Sequence, residues 1–131
     1  MATEFPLRLP TGWVVLPTIG DVRVAALPRG DGERPVGVLT VTAGQGNAGD
    51  PLCDAWRETG VLVLDDEPVR CRGGVSARRL LTAHTQNGRA LTSEIWFVEG
   101  DRPAVLCAAV EASRYAGLAP AIGRSMRSYS R

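Results

Sequence analysis

The chain carries a single histidine, His84, and three cysteines, Cys53, Cys71 and Cys107, at wide spacings. One imidazole excludes a His-pair metal site, so any Ser-His-Asp or Cys-His arrangement would have to be built on His84, with Cys71 or Cys107 as the thiol. His84 shares strand parity with Leu80 and Thr82, which favours a histidine on a sheet face near a hairpin over a catalytic one. Cys107 lies between Leu106 and Ala108, an apolar setting in which a thiol stays protonated and inert. An odd cysteine count fits neither a disulfide framework nor a zinc pattern, so reduced, buried thiols are expected. All 15 basic residues are Arg, so a Schiff-base lysine, a P-loop lysine and a lysine base are all excluded.

The remaining patterns are weaker. Asp65-Asp66-Glu67 could offer oxygens to a hard cation or a carboxylate pair for acid/base work, but adjacent loop residues seldom converge, and a solvated turn is the preferred reading. Gly44-Gln45-Gly46-Asn47-Ala48-Gly49 loosely matches a dinucleotide glycine loop. It lacks the βαβ context and the third glycine inside a helix that this chemistry requires. Arg70, Arg72, Arg78, Arg79 and Arg89 crowd one strand and could form a basic strip for an acidic partner, though no aromatic residues interleave with them as a single-strand binder needs. Trp56 and Trp96 are candidate aromatic anchors for a partner, together with Arg78, Arg79 and Arg89. No catalytic, cofactor-binding or metal-ligating set is expected, and the chain reads as a non-enzyme.

These residues must be positioned by a mostly antiparallel framework. Phe5, Leu7 and Leu9 alternate with Pro6 and Arg8, which predicts a short edge strand before the Pro10-Thr11-Gly12 turn and a segment anchored by Trp13. Val22 to Leu27 and Val36 to Thr42 are β-favouring runs. Asp50-Pro51 signals a helix start, with Leu52, Ala55, Trp56 and Thr59 on one face and Gly60 as its stop. Val61 to Leu64 heads toward a strand that the Asp65-Asp66-Glu67-Pro68 stretch should break. Val75 to Thr85, Ala90 to Glu99 and Ala104 to Ala112 form a meander, hinged by a type I′ turn at Asn87-Gly88 and by Gly100-Asp101. Tyr115, Leu118, Ala119, Ile122 and Met126 follow the helical period, and Pro120 is best placed in the first turn of a helix beginning near Leu118.

With 131 residues, 44% hydrophobic and 22% charged, the chain suits one globular domain spanning 1–131. A formal charge of +1 supplies no field to draw nucleic acid or anionic lipid. No window reaches the ~18 apolar residues of a membrane span and no signal segment opens the chain. It is therefore expected in the cytoplasm if Met1 is the native start, and in the cell envelope if a signal segment has been removed.

Phe5-Pro6-Leu7-Arg8-Leu9-Pro10-Thr11-Gly12-Trp13 resembles the opening of the LpqN/LpqT-like and DcrB-related proteins of the PsbP-like fold, and Ser125-Met126-Arg127-Ser128-Tyr129 is similar to their terminus. The resemblance implies an α+β fold, an antiparallel sheet sandwiched by helices, in which Gly12, Trp13 and Ser128 serve turns, packing and the last helix. Strands apolar on both parities suit such a sheet, covered on both faces. The group includes assembly factors, chaperones for secreted effectors and actinobacterial lipoproteins of envelope transport. The resemblance thus implies an adaptor or chaperone for another protein, in secretion or envelope biology, although the lipobox cysteine is missing. A lipid or small-molecule carrier with an apolar pocket between sheet and helix is the alternative. The proline-limited edge at Phe5 to Leu9 predicts a monomer or weak homodimer.

Overall fold

A computed structural model describes residues 5–30, 34–44 and 60–129. Strands β1 (Val14–Ile19), β2 (Val22–Leu27) and β3 (Gly37–Ala43) form an antiparallel meander, and β4 (Leu62–Arg70), β5 (Ser76–Gln86), β6 (Arg89–Val98) and β7 (Ala104–Glu111) form a second. β7 pairs antiparallel with β3, which joins the two into one sheet of order β1-β2-β3-β7-β6-β5-β4. Helix α1 (Ala112–Arg127) follows directly and packs against β6 and β7. The fold is α+β: an antiparallel sheet with a carboxy-terminal helix on one face. The helix expected from Asp50 to Gly60 lies almost wholly outside the described residues, as do Cys53, Trp56 and most of the Gly44–Gly49 loop.

Alternation sets the two faces. Leu39 and Val41 of β3, Trp96 and Val98 of β6, and Leu106, Ala108 and Val110 of β7 point toward α1 and meet Ile122 and Met126 in the main core. On the opposite face Leu80, Ile95 and Phe97 form a second cluster, with Val63, Val105 and Cys107 beside it. Asn87 (φ 52°) and Gly88 (φ 76°) make the left-handed pair of the expected type I′ hairpin between β5 and β6. Gly37 answers a packing need, because a Cβ there would stand 2.6 Å from Val110 Cγ1 and 3.0 Å from Trp13 Cη2.

Three expectations are corrected. Phe5 to Leu9 is not a strand: Leu7 is buried and Arg8 exposed, but the segment lies against α1, with the Arg8 amide donating to Ser128 Oγ at 2.8 Å. Pro6 and Pro10 remove donors that a ladder would use, and the sheet edge is β1 instead. The acidic run does not break β4, which passes through Asp65, Asp66, Glu67 and Pro68 to Arg70. β4 is an edge strand, where a proline costs no ladder bond on its free side, and the carboxylates face arginines across the strand pair. Helix α1 begins at Ala112 rather than near Leu118, so Pro120 sits in its interior. Pro120 and Ala116 are both exposed, so water can satisfy the carbonyl that loses its partner.

Candidate binding site

The Pro10-Thr11-Gly12 turn, closed by the Trp13 amide on the Pro10 carbonyl at 3.3 Å, lays Leu9 and Trp13 beside the last two turns of α1. Across from it, the β4–β5 connection folds into a short 3-10 turn, Arg72–Gly74. The Cys71 amide donates to the Val75 carbonyl at 2.8 Å, and the Arg70 guanidinium to the Gly74 carbonyl at 3.0 Å. Between these walls lies an open pocket of about 930 Å³. That is at the upper end of the usual range for small-molecule sites, roughly 300–1,000 Å³.

Its lining divides by chemistry. Leu9, Pro10, Trp13, Leu118 and Ala121 supply apolar surface, while Arg8, Arg70, Arg72, Arg124 and Arg127 supply cations, and among the described residues no Asp or Glu contributes. None of the ion pairs between described residues uses these five arginines. Ser125 also lies in the wall, 2% exposed, and its hydroxyl has no hydrogen-bond partner among the described residues. Ser128 Oγ is fully engaged, accepting from Arg8 and donating to the Ser125 carbonyl at 2.6 Å. Cys71 reaches the Met126 carbonyl at 3.7 Å; burial pushes its thiol up to about 11, against the opposing pull of Arg127.

Outside the pocket lining, under the first half of α1, sits a buried carboxylate. Glu94, 2% exposed, projects from β6 toward α1 and accepts from Arg79 Nε at 3.0 Å, Trp96 Nε1 at 2.8 Å and Tyr115 Oη at 2.7 Å. Arg79 also donates to Tyr115 Oη at 3.3 Å and to Asp65 at 3.2 Å. Burial alone would lower the Arg79 pKa, but its bonds to, and attraction from, Glu94 and Tyr115 hold it above the ordinary arginine value. Burial, then the bond to Glu94, pushes the Tyr115 phenol up to about 12. The Arg127 guanidinium stands 5.6 Å from the Trp96 ring centroid, which links this network to the pocket wall.

The residues singled out in the sequence fall elsewhere. Arg78, Arg79 and Arg89 do not make one strip. Arg78 lies on the face away from α1 in a two-point pair with Asp66 at 2.8 and 2.6 Å, Arg79 turns inward, and Arg89 bonds Glu111 and the Pro35 carbonyl at the far end of β6. Arg29 joins Glu111 in the same cluster. Trp96 is fully buried, so it is a core residue rather than an accessible anchor. Asp65 and Glu67 stand on the α1 side and Asp66 on the other, so the three carboxylates do not converge. His84 shares a face with Cys107, but its register partner Leu91 lies four residues, roughly 13 Å, along β6 from Ile95, the partner of Cys107. Cys71 lies beyond the opposite end of β5, and neither thiol meets the imidazole. Burial raises the Cys107 thiol to about 11, as its apolar neighbours led one to expect.

This arrangement defines an antiparallel α+β protein with an arginine-lined cleft between its amino-terminal segment and its last helix. No protein-family model matches the chain, and no curated protein does. Solved structures do. LpqN of Mycobacterium tuberculosis, a protein involved in cell envelope biogenesis, superposes with a TM-score of 0.64 at 18% identity, over 92% of this chain and 78% of its own. PA94 of Pseudomonas aeruginosa, of unknown function, gives 0.61 at 13% identity over 84% of this chain and 82% of that one. A protein from Bacteroides thetaiotaomicron gives 0.62 at 14% identity; the match takes in 95% of this chain but only 43% of that longer one. At such identities the likeness is one of fold. No helix among the described residues is long and apolar enough to cross a membrane.

Proposed function

We propose that this chain is a non-enzymatic interaction module, an adaptor or chaperone for another protein in secretion or envelope biology. The observation that carries this reading is β1. It is an edge strand of sequence VVLPTI without a single charge, and it leaves Val14, Val15, Leu16 and Ile19 between 41% and 70% exposed. Edge strands of solitary proteins usually carry charges that discourage pairing, whereas an apolar edge suits addition of a partner's strand. The fold shared with LpqN, an envelope-biogenesis protein, supports the setting. The test is a photo-crosslinking residue placed at Val15 in the source cell. One dominant adduct that disappears with Ile19→Glu is expected; no adduct, or one indifferent to that charge, overturns the reading.

The 930 Å³ cleft favours a second reading, carriage of a small molecule or lipid. Native mass spectrometry of gently purified protein checks it, since a carrier arrives with ligand mass attached.

A further inference from the structure

Resting on that second reading and naming its ligand, we propose that the cleft takes an anionic single-chain amphiphile, a fatty carboxylate or an alkyl phosphate. The charged head would sit among arginines such as Arg72 and Arg124, and the chain along Leu9, Trp13 and Leu118. A neutral ligand filling the cleft would strip water from guanidinium groups that have no carboxylate partner among the described residues, and would offer them no acceptor charge in return. A small inorganic anion would leave the apolar wall wet. Only a molecule with both parts matches both linings.

Arginines in the last turn of a helix have a simpler explanation, the negative end of the helix dipole. That dipole amounts to roughly half a charge. The carbonyls of Arg124, Ser125 and Met126 already accept from the Ser128 and Tyr129 amides, from Ser128 Oγ and from the Cys71 thiol. Arg8, Arg70 and Arg72 come from other segments altogether and owe nothing to it. Ser125 supplies an independent pointer. A buried hydroxyl without a partner among the described residues is unfavourable, and the oxygen of a carboxylate or phosphate entering the cleft would be the acceptor it lacks.

Calorimetric titration of the full chain with decyl phosphate and decanoate, each below its micelle concentration, tests the proposal against decyl maltoside and inorganic phosphate. Expected are one molecule bound per chain, affinity about tenfold or more above that of the neutral maltoside, and weakening with added salt. Arg72→Gln/Arg124→Gln should bring the anionic probes down to the level of the neutral one without changing the circular dichroism spectrum. Equal binding of neutral and anionic probes, or an indifferent double variant, overturns the anionic assignment while the carrier reading stands. Inorganic phosphate binding as tightly as decyl phosphate overturns the amphiphile. Absence of binding by every probe overturns both.

Discussion

Replacing Arg79 by Met should destabilise the protein by about 3–5 kcal/mol, because Glu94 is 2% exposed and its charge would lose the only guanidinium bonded to it among the described residues. The other contacts of Arg79 contribute little to this figure. Its pair with Asp65 at 3.2 Å is half open to solvent on the carboxylate side, and such pairs are worth about 0–1 kcal/mol. Tyr115→Phe removes one donor to the same carboxylate and should cost about 1.5–3 kcal/mol, the usual worth of a hydrogen bond to a charged group. The double variant Arg79→Met/Glu94→Leu is the informative one. With both charges gone the site becomes an apolar contact beside Trp96, and most of the Arg79→Met loss should be recovered, leaving a coupling of about 3 kcal/mol. Trp96 Nε1 then loses its acceptor while the half-buried Tyr115 hydroxyl turns to water, which sets the residual cost at about 1–2 kcal/mol. Urea denaturation of the four proteins at pH 7 closes the cycle. An Arg79→Met loss under 1 kcal/mol, or a coupling near zero, would refute the reasoning by showing that the Glu94 charge does not depend on Arg79.

Gly37→Ala should lower stability by about 1–3 kcal/mol, since its new methyl meets Val110 and Trp13 at less than contact distance; an unchanged melting temperature would contradict this. Pro120→Ala should raise stability by about 1–2 kcal/mol, because the helix-interior penalty of roughly 3 kcal/mol is partly offset by the freer unfolded chain. Above pH 9 stability should fall. Unfolded thiols ionise near 9 and the phenol near 10, while in the fold Cys71 and Cys107 hold their protons to about 11 and Tyr115 to about 12, so the unfolded state releases protons first. Urea midpoints under reducing conditions should decline between pH 9 and 12, and Cys107→Ala should flatten the lower part of that decline. Sedimentation should find a monomer or weak dimer at low micromolar concentration, since Pro17 and the irregular pairing between Leu16 and Ile19 leave only the short Val14–Leu16 run of the β1 edge for pairing, enough for a partner that adds side-chain contacts but short for a tight self-pair.

Alternation and turn residues made most of the sheet legible. β2 matches the Val22 to Leu27 run, and β3, β5, β6 and β7 start or end within a residue of theirs. What failed were segments whose partners lie far away in sequence. Asp66 and Arg78 are twelve residues apart across a turn, so the charges that make the acidic run tolerable in a strand are invisible to a local reading. Phe5 to Leu9 has the period of a strand but a helix for a neighbour, and period alone does not name the neighbour. Glu94 did leave a trace: an acid embedded in Glu94-Ile95-Trp96-Phe97 on the Trp96 parity must be buried, and a buried acid requires a cation and donors. The cleft left none, because residues 8–13, 70–72 and 118–128 line it and no motif spans all three.

A near-neutral chain can still build a strongly positive site if acids and arginines are sorted unevenly, and the described residues are sorted in that way. Asp65, Asp66, Glu67, Glu94 and Glu111 are bound up with Arg29, Arg78, Arg79 and Arg89 along β4, β5, β6 and the end of β7. Those pairings leave Arg8, Arg70, Arg72, Arg124 and Arg127 together around one cleft with no acid among the described residues of its lining. Screening at physiological salt acts over about 8 Å, so neutralisation averaged over the whole molecule does not cancel a cluster of this kind. The buried network adds stiffness to the segregation. Through Tyr115 on Glu94 and Arg127 over Trp96, α1 is tied to the sheet at two points twelve residues, roughly 18 Å, apart. The helical wall that carries Arg124, Ser125 and Arg127 is therefore fixed before any ligand arrives. In a site so preorganised, little of the attraction between head group and guanidinium is spent on ordering the protein.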